Sequence, residues 1–237
     1  MIWLALLYLV VSSLLFEAVS ITFVIQEQIF LCFFYSHRQK GLNSKMQKPS
    51  SAKRASIIAI SAALYAVFFF LSFATPVPNF TVLYLPIILL GVFPLWFGWS
   101  GLVGSMIGAF IGGVYVEGLP LHLAWVEVTT ALVIYGLNWL LISKASSKAN
   151  SPKALLILSS VYALTLLVGT AAILWQFTLV GLLPAEIAWP LLPGTFALNL
   201  PIAIIACPAL IKAVSPKLQA WGMYVGNFAD WRNRKPN

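Results

Sequence analysis

Long apolar runs, separated by short polar or basic breaks, are the dominant pattern along this chain. From residue 53 onward six runs occur, at about residues 55–74, 80–97, 99–116, 120–142, 154–180 and 194–213. A helix needs about 20 apolar residues to cross the hydrocarbon core of a bilayer, and each run is close to that length. The pattern predicts an all-α integral membrane protein, a bundle of six transmembrane helices.

The breaks between the runs differ in strength. "TPVPN" at 75–79 and "EGLP" at 117–120 contain turn residues, whereas "GWSG" at 98–101 is short and uncharged. The segment 181–193 contains three prolines and a glutamate and no cation, so we expect a connector there rather than a helix.

Charge supports the same topology. Only 8% of the residues are charged and 61% are hydrophobic, against about 25% charged in soluble domains. All 14 Lys and Arg residues fall within 38–54, 144–153 and 212–235. Cytoplasmic loops carry such an excess, so we expect a multi-pass cell-membrane protein, embedded in lipid, with both termini cytoplasmic. The net charge of +8 needs no nucleic-acid partner.

The N-terminal segment is atypical. Residues 1–45 begin with an apolar stretch interrupted by Glu17 and Glu27, and then become polar and basic. Three interpretations of this segment are open: a seventh membrane span, a targeting segment, or an over-extended gene start in which Met46 is the true initiator. We prefer the third interpretation, because the six following helices are complete without it. Residues 46–54 are predicted as a basic cytoplasmic segment, 55–215 as the membrane domain and 216–237 as a basic cytoplasmic tail.

Two stripes of small residues recur at four-residue spacing, which places each on one helix face. In the third run Gly104, Gly108 and Gly112 favour close packing inside the bundle. The first run, "KRASIIAISAALYAV", carries a stripe beside the basic cluster, made of Ala55, Ala59 and Ala63 with Ala62 and Ala66 next to it. For this stripe, internal packing and docking of another membrane protein both remain open.

The few polar residues inside the runs cluster at one depth. Glu127 lies about 10 Å from the outer end of its helix at 1.5 Å per residue, so it is either protonated or paired with a group from outside the bundle. The predicted substrate-binding residues are Glu127, Thr130, Asn199, Gln176, Trp125, Tyr115 and Asn79. They predict an outward-facing pocket for a small molecule, above an inner half of nearly featureless apolar packing.

Catalytic motifs are not found. The chain has no Gly-x-Ser-x-Gly, HExxH or Walker A motif, and Cys32 and Cys207 do not have metal-site spacing. Glu117 and Glu127 are ten residues apart across a helix end, so we expect no paired carboxylates. The sequence therefore predicts a protein that is not an enzyme and needs no cofactor or metal.

Three segments resemble the substrate-binding S component of energy-coupling factor (ECF) vitamin transporters, over about residues 53–215. They are "KRASIIAISAALYA", "LPIILLGVFPLWFGWSGLVGSMIGAFIGG" and "FALNLPIAIIACPALIKAV". The resemblance implies six helices and a vitamin-like ligand held under the loop between helices one and two, here "TPVPN". It also implies that the alanine-rich first helix docks on a transmembrane T subunit driven by two ATPase subunits. The N-terminal extension departs from the family pattern.

The substrate itself is left open. Glu127 near tryptophan would suit a cationic aromatic ligand such as thiamin or a pyrimidine precursor, and riboflavin, biotin and queuosine precursors are alternatives. A membrane scaffold, an assembly protein or a non-catalytic subunit of a membrane complex is the alternative function.

Overall fold

The computed structural model describes residues 51–73, 83–89, 91–144, 147 and 149–232. Seven α-helices lie in this part of the chain: α1 Ser51–Phe73, α2 Phe93–Phe97, α3 Trp99–Tyr115, α4 Trp125–Leu141, α5 Pro152–Leu179, α6 Ala185–Ala220 and α7 Phe228–Arg232. Two 3₁₀ helices, Leu85–Leu89 and Leu121–Leu123, precede α2 and α4. The predicted all-α class is confirmed for the described residues. The extension 1–45 and most of the basic segment 46–54 lie outside them.

Four helical segments are long and apolar enough to span a membrane. They are Ser51–Ser72, Leu121–Leu141, Pro152–Leu179 and Ala185–Ala220, while Leu85–Phe97 and Trp99–Tyr115 are shorter apolar segments. Helix α5 begins with ordinary capping chemistry: the Ser151 side chain accepts the Ala154 N–H at 3.1 Å and Pro152 occupies the first helical position.

The second apolar run is not one continuous helix, and the prediction for 80–97 was wrong in this respect. The helix is interrupted at Gly91, over which the Tyr162 ring packs so closely that an added Cβ would lie 2.0 Å from its hydroxyl oxygen. Backbone carbonyls near the interruption accept hydrogen bonds from neighbouring helices. Tyr135 donates to Pro86 O at 2.8 Å, and the Cys207 thiol lies 3.4 Å from Ile87 O. These side chains allow an irregular backbone to be buried.

The predicted connector at 181–193 was correct for residues 181–184 and wrong for residues 185–193, which are helical. Helix α6 begins at Ala185 and includes Pro190 and Pro193. Its first turn is fixed by burial, because Ala188 belongs to an apolar cluster with Val126, Leu174 and Phe177. Packing against α4 and α5 therefore outweighs the local preference of proline for helix ends.

Helices α1 and α3 pack side by side in the same direction, with the glycine stripe of α3 between them. An added Cβ at Gly104 would lie 2.5 Å from Ser61 Cβ, one at Gly108 2.6 Å from Tyr65 Cβ, and one at Gly112 2.5 Å from the Phe69 ring. Only glycine permits this approach, so the glycine stripe serves internal packing, as the sequence favoured.

The bundle has two chemically different ends. We call the end with residues 116–124 and 180–184 the loop end, and the end with residues 142–151 and 221–232 the basic end. The antiparallel contacts of Gln176 with Thr129 and of Gly169 with Ile134 define these ends. The described cations lie toward the basic end: Lys53, Arg54, Lys144, Lys153, Lys212, Lys217 and Arg232. The described glutamates, Glu117, Glu127 and Glu186, lie toward the loop end.

The C-terminal segment folds back on the basic end. The Val225 and Gly226 N–H groups donate to Trp96 O and Leu95 O, each at 2.8 Å. Trp139 Nε1 donates to Gly226 O at 3.0 Å. These bonds satisfy carbonyls at the end of α2, where a helix leaves its last acceptors unpaired.

Candidate functional site

A cavity of about 50 Å³ lies in the loop-end half of the bundle, between the first 3₁₀ helix, α4, α5 and α6. Its apolar walls come from Ile87, Ile134, Leu166, Ile173 and Phe177. Its polar lining consists of Tyr84, Glu117, Glu127, Thr130, Tyr135, Thr170, Thr195 and Asn199. Apolar walls with a few convergent polar groups are typical of a small-molecule site.

Two carboxyl groups meet in this cavity, and the expectation of no paired carboxylates was wrong. Glu117 and Glu127 both line it, and their side chains interact directly. The chain turns back after α3 because Glu117 N–H donates to Gly112 O at 3.1 Å and Leu119 N–H to Gly113 O at 2.9 Å. Gly113 leaves room for the partner, since a Cβ there would lie 2.8 Å from Glu127 Cγ.

The Glu127 carboxyl group is the most deeply buried charge-bearing group of the site. Glu127 is 1% exposed, and the described residues offer its oxygens no hydrogen-bond donor besides the adjacent Glu117 carboxyl group. Glu117 is half-buried; two carboxylates in contact repel each other, and the buried Glu127 group also loses its hydration. The pair therefore requires a proton or a bound positive charge.

Thr195 adds a second unsatisfied group. It is 5% exposed, lines the cavity, and its hydroxyl oxygen has no hydrogen-bond partner among the described residues. Buried polar atoms are nearly always paired in folded proteins. The exceptions at Thr195 and Glu127 share one cavity, which marks it as a place for an external polar partner.

The side-chain amides of Asn199 and Gln176, which were also predicted as ligand-binding groups, make hydrogen bonds within the protein. Asn199 lines the cavity, but its Oδ1 accepts the Tyr84 N–H at 2.7 Å and its Nδ2 donates to Thr195 O at 2.8 Å. Gln176 lies behind the lining. Its Oε1 accepts from Thr129 at 2.6 Å, and its Nε2 is 3.4 Å from the hydroxyl of Thr130, which does line the cavity.

Three predicted residues are not brought into the cavity lining. Tyr115 is 80% exposed and Trp125 43% exposed, and neither lines the cavity. Asn79 lies outside the described residues.

Sequence reasoning missed several lining residues: Tyr84, Tyr135, Thr170 and Thr195. Thr195 had a usable signal, because it precedes Asn199 by one helical turn and shares its face. Tyr84 had none, because a hydrogen bond from its backbone to α6 sets its position.

The half of the bundle toward the basic end is not featureless, contrary to expectation. Asn138 is fully buried, and neither atom of its amide has a hydrogen-bond partner among the described residues. The hydroxyl groups of Tyr162 and Ser61 are also buried and have no hydrogen-bond partner among the described residues. Buried polar groups thus extend beyond the predicted pocket depth.

The alanine stripe of α1 divides between two faces. Ala55, Ala59 and Ala63 are exposed, and Ala66 is half-buried. Ala62 is buried, and its carbonyl oxygen would lie 2.7 Å from a Cβ at Gly108. Ala62 therefore packs on α3, while Ala55, Ala59 and Ala63 form an exposed line of small side chains from the basic end to the middle of α1.

Comparison of the chain with protein-family models, curated proteins and solved structures finds no match. The coarse class follows from the fold: an all-helical chain, in its described part, with four segments long and apolar enough to cross a membrane. The site adds a buried polar cavity at one end of the bundle.

Proposed function

We propose that this protein is the substrate-binding S component of an ECF-type importer, and that it binds a vitamin or related micronutrient. The observation that carries the proposal is that the candidate ligand site and the candidate docking surface lie in different parts of the bundle. The cavity with unsatisfied buried polar atoms lies in the loop-end half, and the exposed alanine line runs from the basic end to the middle of α1. A binding subunit that docks on a separate energising unit requires these two surfaces to be apart.

Six membrane crossings with both termini in the cytoplasm are part of the proposal. Because α1 and α3 pack in the same direction, the chain returns between them, through a stretch that includes Leu85–Phe97. Helix α3 has 17 residues, about 26 Å at 1.5 Å per residue, close to the roughly 30 Å hydrocarbon thickness. The gathering of the described cations toward one end supports a cytoplasmic basic end.

The ligand would occupy the cavity beside Glu127, Thr130 and Thr195. Its present volume of about 50 Å³ is well below the roughly 300 Å³ or more of ordinary ligand pockets. Binding therefore requires the walls to move apart. The first 3₁₀ helix is the natural moving wall, because the interruption at Gly91 separates it from α2.

The docking partner would be a transmembrane T subunit energised by two ATPase subunits, with Ala55, Ala59 and Ala63 at the contact. Small side chains let helix backbones approach closely in lipid, where no hydrophobic effect drives association between helices. In this arrangement the chain binds the micronutrient, and the ATPase subunits supply the energy.

Purification tests the proposal directly. The full-length protein, extracted in mild detergent, should retain a micronutrient detectable by native mass spectrometry, and T and ATPase subunits should co-purify with it. A membrane scaffold is the alternative, favoured by the exposed alanine line; it would retain partners but no soluble ligand. Absence of both a retained ligand and an ECF partner would refute the proposed function.

A further inference from the structure

We infer that the ligand of this cavity is a small organic cation whose charged group carries at least two N–H donors and contacts Glu117 and Glu127 together. The inference rests on the proposed ligand-binding role and narrows its substrate class. Its starting point is the meeting of two carboxyl groups in one cavity, where the described lining residues include no lysine, arginine or histidine.

The positive charge follows from the environment of the pair. Glu127 is buried, and its oxygens find no donor among the described residues other than the Glu117 carboxyl group. An ionised buried carboxylate is stable only when it is paired. A cation placed between the two groups would offset the charge of both at once.

The requirement for N–H donors follows from what the site leaves unsatisfied. Carboxylate oxygens only accept hydrogen bonds, and the Thr195 hydroxyl also accepts them. An amidinium or aminopyridinium group presents two N–H bonds in a plane, which matches paired oxygen acceptors, and a primary ammonium presents three. A quaternary ammonium has none and would leave these acceptors unsatisfied.

The organic character follows from the walls. Tyr84, Tyr135 and Phe177 are among the lining residues, and aromatic side chains attract organic cations. A divalent metal ion would need about six oxygen ligands. Among the described residues no group of three or more His, Cys, Asp or Glu side chains could hold a metal ion, and the nearby Asn199 amide oxygen and Tyr135 hydroxyl are already bonded to backbone groups.

Two probes of the same shape separate a charged from a neutral ligand. Benzamidine carries a planar cation with paired N–H donors, and benzamide is its neutral counterpart. We expect the full-length protein in detergent to bind benzamidine about tenfold or more tightly than benzamide, measured by isothermal titration or thermal shift.

Variants then locate the effect. Glu127→Gln and Glu117→Gln should each abolish most of the preference for benzamidine, and Thr195→Val should reduce it. Glu186→Gln is the matched control, because Glu186 is exposed at the same end of the bundle, and it should leave the preference unchanged. The comparison of benzamidine with benzamide uses the unmodified protein, so it tests the inference even if a variant fails to fold.

The outcomes distinguish this inference from the proposed function. Equal binding of the two probes, or binding of Mn²⁺ that competes with benzamidine, overturns the organic-cation assignment. A retained neutral micronutrient also overturns it, while leaving the S-component function intact. If the carboxyl pair holds only a shared proton, the cavity should bind neither probe, and the organic-cation assignment is overturned. If the protein also retains no micronutrient, the proposed S-component function is overturned as well.

Discussion

Adding a single methyl group to the glycine stripe of α3 should force α1 and α3 apart. In Gly108→Ala the new Cβ would lie 2.6 Å from Tyr65 Cβ and 2.7 Å from Ala62 O. Ordinary carbon contacts are about 3.5–4.0 Å, so the helices must separate by roughly 1 Å. Neither obstacle is the tip of a flexible side chain, and the misfit therefore cannot be relieved by a rotamer change.

The control is Gly136→Ala in α4, where an added Cβ meets nothing within 4 Å. Both substitutions gain about 1 kcal/mol of helix propensity, so the difference between them isolates the overpacking. Overpacking a well-packed interior typically costs about 1–3 kcal/mol, and we expect Gly108→Ala to be less stable than Gly136→Ala by that amount.

Thermal unfolding in detergent, followed by intrinsic fluorescence, measures the difference. For soluble proteins of this size 1 kcal/mol corresponds to about 2–4 °C in Tm, so a gap of about 2–12 °C is expected. Equal melting temperatures for the two variants would refute the tight α1–α3 contact, and with it the separation of internal and exposed small-residue faces.

Two further predictions test the docking face and the cavity wall. Ala59→Trp should leave Tm and ligand binding unchanged while abolishing transport in a reconstituted importer. Ala62→Trp, by contrast, should destabilise the bundle because Ala62 is buried. Loss of ligand binding in Ala59→Trp would argue against a separate docking face. Asn199→Ala removes the acceptor of the 2.7 Å bond from Tyr84 N–H and should lower the free energy of unfolding by about 1–3 kcal/mol; an unchanged denaturation midpoint would mean that this bond does not hold the wall.

Hydropathy located most of the helices well, and local chemistry explains where it failed. The first, third, fourth and fifth runs match α1, α3, α4 and α5 within a few residues at each end. The runs that deviated are those in which a neighbouring element acts on the backbone. Tyr162 packs over the interruption at Gly91, and burial of Ala188 keeps the proline-containing start of α6 helical.

Only some of the residues of the candidate site could be predicted from the sequence. Glu127 and Thr130 were identified because a polar residue in an apolar run is conspicuous, and Asn199 for the same reason. Glu117 was placed correctly at a helix end, but its pairing with Glu127 was missed. The pairing depends on two backbone hydrogen bonds that turn the chain back and on the missing side chain of Gly113.

The sequence by itself determined the helical class, the apolar lengths and the gathering of the described cations at one end of the bundle, because these depend on the solvent preference of each residue. It also determined that α1 and α3 each carry a stripe of small residues. Only the tertiary structure decided that the α3 stripe is buried while Ala55, Ala59 and Ala63 are exposed, and that two glutamates share a cavity. Periodicity defines a helix face, whereas the neighbour that covers it depends on packing between segments distant in the chain.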